Sequence, residues 1–352
     1  MNAKPDPSVA SSAGASDTPP APPPAAADAS AALPSIHDVL AAHAHVTPVL
    51  RSRSLDALAG CELHLKAEHL QRAGAFKFRG ACNAVWALSD EDAARGVVTH
   101  SSGNHGAALA LAARTRGIAC HVVVPEGAVA SKVAAIAAFG ASVHRCAPTI
   151  ADREARCAQL QRDTGATLVH PYTDARVIAG QGTATLELLA DARGAALDAL
   201  VVPVGGGGLA CGTAIALAAL SPRTRLVLAE PAGAAETCAS LQRGERVTDF
   251  IPDTVCDGLR GTLGAPNFLL LRTHAPDVLV VEDAATVAAM RLLWQRAKQV
   301  VEPSSAIALA AVLAHPQRFA GQRVGIVLSG GNVDADALPA LLAPVDRAPA
   351  RG

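Results

Sequence analysis

Aromatic residues are scarce, at 3% of the 352-residue chain, which leaves little material for the stacking platforms that grip single-stranded nucleic acid. Charge of one sign is lacking too: 30 Lys+Arg stand against 31 Asp+Glu, a formal net charge of −1. With no basic block to meet a phosphate backbone, nucleic acid is not the expected partner. Apolar runs fall short of the ~18 residues of a membrane span, so no membrane association is expected. The eight cysteines, at 61, 82, 120, 146, 157, 211, 238 and 256, form no C-x-x-C pair and no Cys/His cluster at zinc spacing. In a chain this long they read as reduced, mostly buried thiols, and the expected compartment is the cytoplasm. H-E-x-x-H and a Ser/His/Asp pattern are missing as well, which removes support for hydrolase readings.

What remains is apolar and regular. Hydrophobic residues make up 50% of the chain and charged ones 17%, enough for one large domain or two ordinary ones. Residues 1–34 are Ala, Pro, Ser and Asp with one Lys and no Arg, unlike a signal or transit peptide, and read as a disordered tail. Beyond Pro34, short β-branched runs alternate with Ala/Leu-rich helical patterns. The expected strands are "CELHLKA", "GVVTH", "ACHVVVP", "SVHRC", "TLVHPY", "DALVVPV", "RLVLAEP" and "RVGIVLS". Helical patterns cover Gly106–Arg116, Val129–Phe139, Ala151–Asp163 and Ala284–Lys298. This alternation predicts an α/β protein with parallel sheets covered on both faces. Ligands of such sheets gather beyond the carboxyl ends of strands.

One such end is "DALVVPVGGGGLACGTA", an apolar run, four glycines from Gly205 to Gly208, and a small-residue helical pattern. Backbone N–H groups converging at a helix start make a phosphate site. Gly205, Gly207 and Ala210 fit a dinucleotide fingerprint, and Glu230 follows 25 positions after Gly205, near the spacing of a ribose-binding acid. A nicotinamide-dependent oxidoreductase is therefore one reading. A smaller phosphate, such as that of pyridoxal 5′-phosphate (PLP), is the other, and the glycines alone do not choose.

Other strand ends carry further candidates. "GAFKFRGA" sets Lys77 between Phe76 and Phe78, where an apolar surround would lower the lysine pKa as an imine-forming nucleophile requires. "THSSGNHGAALALAA" gathers Ser101, Ser102, Asn104 and His105 at a helix mouth. Such a turn serves as an N-cap or receives a carboxylate. "GIVLSGGNVD" ends a strand with Ser329 and two glycines that admit a ligand to the backbone.

Together, "AGAFKFRGACNAV", "THSSGNHGAALA", "HPYTDARVIAGQGT", "PVGGGGLA", "VVEPSSAIALAAV" and "VLSGGNVD" resemble, in order, the motifs of the serine/threonine dehydratase and serine racemase family of fold-type-II PLP enzymes. The resemblance spans roughly residues 38–334. It implies a tryptophan synthase β-like fold: two open α/β domains with mostly parallel sheets and the cofactor in the cleft between them. A small domain over 96–173 would be inserted into a large PLP-binding domain of 35–95 plus 174–342, with 343–352 as a tail. It further implies that Lys77 carries PLP, with Phe76 against the ring. Gly205, Gly206, Gly207, Gly208 and Leu209 would hold the phosphate, Asn104 the ring hydroxyl and Ser329 the pyridine nitrogen. Ser101, Ser102, Asn104 and His105 would bind the substrate carboxylate. Ser102 is the position from which racemases of this family return a proton to the opposite face, and Arg153 matches an arginine placed near the substrate. Glu230, Ala234 and Glu236 match a divalent-cation site whose oxygen ligands suit Mg²⁺, with Ca²⁺ or Mn²⁺ as alternatives.

The activity so implied is β-elimination of L-serine and L-threonine to 2-oxo acid and ammonia by a homodimer. Serine racemase and L-threo-3-hydroxyaspartate dehydratase are the alternatives, the latter because Arg153 could read a second carboxylate. Tyr172 and Gly261 stand where racemases tend to have Asn and Ser. Ala75 replaces a serine before the Phe-Lys pair. Ala73 and Ala107 replace polar residues that help animal racemases bind nucleotide, so nucleotide activation is not expected. Only 20 residues follow Asn332, too few for a regulatory domain responsive to isoleucine.

Overall fold

The computed structural model describes residues 26–191 and 196–343. Among the described residues, ten strands form two sheets. The six-stranded sheet has the order β1-β2-β10-β7-β8-β9, with β1 (Val49–Leu50), β2 (Glu62–Lys66), β7 (Ala199–Pro203), β8 (Arg225–Pro231), β9 (Asp277–Val281) and β10 (Arg323–Val327). Only β1 runs antiparallel in it. The four-stranded sheet, order β5-β4-β3-β6, is all parallel and comprises β3 (Val97–His100), β4 (Cys120–Pro125), β5 (Ser142–Cys146) and β6 (Thr167–Leu168). The smaller sheet is thus built from chain lying between β2 and β7 of the larger one. Both are open, mostly parallel α/β sheets, as the sequence predicts.

Strand β7 illustrates why the apolar runs fold this way. All five of its residues are buried. Val201 packs with Leu63, Val227 and Ile326 beneath helix Pro303–Ala314, whereas Leu200 and Val202 point to the other face with Leu228 and helix Gly208–Leu220. The two-residue period of a strand therefore feeds two cores at once, as parallel sheets require. A third core, with Val97, Val122 and Val124, joins the small sheet to helices Lys77–Trp86 and Asn104–Arg116.

Two features depart from the sequence reading. Strands β1 and β9 join the eight expected ones, both at sheet edges. The chain is also helical from Ala26 to Ala41, a helix that begins within residues 1–34, the stretch read as a tail, and runs past its end. Leu33 and Leu40 are each 1% exposed, in different cores, and this packing together with alanine's helix propensity outweighs Pro34 within the helix. Residues 1–25 of the expected tail, and the second tail from 344 on, lie outside the described residues.

Candidate active site

The carboxyl ends of β3, β7 and β10 converge with the segment before helix Lys77–Trp86. The Phe76 N–H donates to the Ser329 carbonyl at 2.9 Å, and Ala75 bridges Gly330. Lys77 is thereby held beside the end of β10. Its Nζ donates to the Pro171 carbonyl at 2.9 Å and lies 5.2 Å from the Phe76 ring centre. Burial pushes the Lys77 ammonium down to about 8, against the opposing pull of Glu302.

After β3, Ser101, Ser102 and Asn104 are half-buried where helix Asn104–Arg116 begins. His105 departs from the expected role in one respect. Its ring is buried at 2% exposure, with Nε2 3.2 Å from the Val169 carbonyl, so only its backbone N–H is suited to an anion. Burial drives its pKa well below the usual histidine value.

After β7, Gly205, Gly206 and Gly207 precede Gly208 and Leu209, the first residues of helix Gly208–Leu220. Gly207 has φ +90°, in the region that favours glycine. A Cβ on Gly206 would lie 2.4–2.6 Å from three ring carbons of Tyr172, and one on Gly205 would lie 3.0 Å from the Leu259 Cα. The loop is an N–H-lined cradle at a helix start that tolerates no side chain at Gly206. Tyr172 meets His170 edge-on at 4.6 Å, and His170 meets His100 at 5.1 Å. Burial lowers His170 to about 3, so this ladder is neutral near pH 7. Ser329 is 3% exposed, and its hydroxyl donates to the Ser304 carbonyl at 3.4 Å.

Arg153 sits on helix Ile150–Thr164, and its charge acts on both His100 and Tyr172. Nη2 donates to the Pro148 carbonyl at 2.8 Å, while its buried Nε has no partner. Glu302 and Asn332 are site residues that the sequence reading missed: the Asn104 amide nitrogen donates to Glu302, and Asn332 donates to the Asn104 oxygen at 2.9 Å. The signal for Glu302 was an acid in the otherwise apolar "VVEPSSAIALAAV"; its place just before Pro303 disguises it as an ordinary helix cap.

Glu230 does not stand free for a ribose. Its two carboxylate oxygens accept from the N–H groups of Thr237 at 2.7 Å and Cys238 at 2.8 Å, at the start of helix Glu236–Arg243. Beside it Glu236 is 3% exposed, and neither of its carboxylate oxygens has a hydrogen-bond partner. Burial pushes the Glu230 carboxyl up, and burial together with the nearby Glu230 charge pushes the Glu236 carboxyl up.

A family model described as pyridoxal-phosphate dependent enzyme matches residues 40–330. The chain belongs to this PLP-dependent family. It is 44% identical to the β-hydroxyaspartate dehydratase of Paracoccus denitrificans over 313 residues, 87% of this chain and 99% of that one. Maize serine racemase superposes with a TM-score of 0.84 at 42% identity, covering 88% of this chain and 94% of that chain. A T.th. threonine deaminase gives a TM-score of 0.81 at 44% identity, covering 86% of this chain and 97% of that chain.

The residues present fit PLP. The four glycines bring no side chains of their own between their N–H groups and a ligand, and the buried amine of Lys77 is held at Pro171, the neighbour of the Tyr172 that packs on Gly206. The oxygen donors of Glu230 and Glu236, the latter with no hydrogen-bond partner, are of the kind a hard divalent cation takes. Ala234 lies in the turn Ala232–Ala234 between these two acids. Among the described residues no helix is long and apolar enough to cross a membrane.

Proposed function

We propose that the protein is a PLP-dependent ammonia-lyase for 3-hydroxyaspartate. The observation that carries this reading is the buried, unpartnered Nε of Arg153 beside the His100–His170–Tyr172 ladder. A guanidinium N–H left without an acceptor calls for one, and the second carboxylate of the substrate is the acceptor this reading assigns to it. L-Serine and L-threonine lack it and leave Arg153 unmatched, so they rank below the dicarboxylate. The Paracoccus relative, named for the same substrate, supports this order.

PLP, when bound, supplies the electron sink that makes the substrate α-proton acidic. The N–H groups of Gly205–Leu209 would hold its phosphate, Asn104 and Ser329 its ring, and Phe76 would lie against it. The turn Ser101–His105 receives the α-carboxylate through backbone N–H groups and the hydroxyls of Ser101 and Ser102. Lys77, neutral above about pH 8, takes the α-proton. Departure of the β-hydroxyl as water and hydrolysis of the resulting enamine give 2-oxo acid and ammonia. Glu230, the Ala234 carbonyl and Glu236 would be the oxygen ligands of a divalent cation.

Serine racemase is the second reading, favoured by Ser102, whose hydroxyl stands at the substrate turn where it can hold a proton for the opposite face. The deciding experiment supplies PLP and Mg²⁺ with L-threo- and erythro-3-hydroxyaspartate, L-serine and L-threonine in turn, scoring 2-oxo acid and D-isomer. Preferential oxo acid from a hydroxyaspartate is expected. Equal turnover of serine would remove the role given to Arg153, and abundant D-serine would establish the racemase.

A further inference from the structure

Glu302 stands at the N-cap of helix Pro303–Ala314, yet its side chain makes no capping bond. The carboxylate turns instead to Asn104, whose Nδ2 donates to Oε1 at 2.9 Å and to Oε2 at 3.1 Å. The Asn332 backbone N–H supports the same carboxylate. A Cβ on Gly330 would come within 2.6 Å of Glu302 Oε1, so glycine at that position is what admits the acid.

The two oxygens of one carboxylate subtend a narrow angle at the amide nitrogen, whereas its two N–H bonds diverge widely. One N–H therefore serves both oxygens. Asn104 Oδ1 accepts from Asn332 Nδ2 at 2.9 Å, and the same nitrogen donates to the Ala73 carbonyl at 2.7 Å. Turning the Asn104 amide over would set its oxygen against a carboxylate and its nitrogen against another donor. The amide is clamped from both sides, with one N–H uncommitted.

We propose that Glu302 is a positioning residue that locks the Asn104 amide so its remaining N–H meets the ring hydroxyl of PLP. The inference rests on the role proposed above for Asn104. Besides Asn104, the groups facing Glu302 are Lys77, Lys132 of helix Ala130–Ala138, and Asp257.

The test uses full-length protein with E302A, E302D and E302Q, reading PLP affinity by titration of the apo-protein, the visible band of bound PLP, and circular dichroism. Glu302→Ala should weaken PLP binding about tenfold, shift the band, and lower kcat more than it raises KM. Shortening the side chain in Glu302→Asp should act in the same direction. Glu302→Gln, whose amide oxygen still accepts from Asn104, should stay within about threefold of wild type. Wild-type affinity and band in E302D or a folded E302A overturn the proposal. A wild-type protein with no visible band in the presence of PLP would instead remove the Asn104 reading itself, and the inference with it.

Discussion

Lys77 is buried among apolar groups with one carbonyl partner, and its chemistry follows from that setting. Only the neutral amine attacks an aldehyde, so the rate at which apo-protein takes up PLP should rise with pH and level off near 8. A climb continuing past pH 10, as for an ordinary lysine, would contradict the lowered value. Lys77→Ala should reduce turnover by roughly 10²–10⁴-fold, the span of a lost general base. Arg153→Ala should raise KM for hydroxyaspartate about 10–100-fold, equivalent to one charged hydrogen-bond partner, while changing serine turnover far less. Parallel losses on both substrates would assign Arg153 to the α-carboxylate. Lys77 and Ser329 are legible in the sequence because each belongs to a local motif. Glu302 is not, because its partner Asn104 lies 198 positions away and nothing local marks the pair.

Among the elements, helix Lys77–Trp86 is anchored by an ion network two residues beyond its lysine. Arg79, fully buried, pairs with Glu68 at 2.7 Å and Glu187 at 2.6 Å, and Lys66 reaches Glu187 at 2.6 Å. Breaking one member strands the others without compensation, so Arg79→Ala should cost about 3–5 kcal/mol in denaturant unfolding. The turn from Glu230 to helix Glu236–Arg243 should respond to metal. Mg²⁺ at about 100 times its dissociation constant should add about 2.7 kcal/mol of stability, visible as a raised Tm that Glu236→Gln abolishes. An unchanged Tm would leave the acid pair without a cation. Elements written as an unbroken apolar run, such as β7, can be read from sequence alone. Strand β9 and the helix Ala26–Ala41 cannot, since an edge position and a packed leucine pair are properties of the assembled fold.

Across the whole molecule, the two sheets meet through polar links: Lys132 with Asp257, Ser131 with Asp334 at 3.1 Å, and the Asn104–Glu302 pair. Glu302 also couples assembly to pH. Burial raises its carboxyl to about 7 from an ordinary value near 4.5, so the folded state holds a proton that the unfolded chain releases between those values. Its contribution to stability is present below pH 4.5 and is lost as pH rises through 7. Buried neutral histidines such as His170 act in the opposite sense. The difference in apo-protein stability between wild type and Glu302→Gln should therefore shift against wild type from pH 5 to 8. A constant difference would mean that Glu302 titrates normally.

Strand β10 comes last in chain order yet lies between β2 and β7 in the middle of the large sheet. Until residues 323–327 leave the ribosome, the nascent chain holds β2 and β7 with bare facing edges and no strand end on which to set Ser329. The four-stranded sheet, whose strands lie close together in sequence, can form while synthesis continues. The large sheet and the final seat of Lys77 must wait for the last strand, which makes the partly made protein a natural client for factors that shield exposed strand edges.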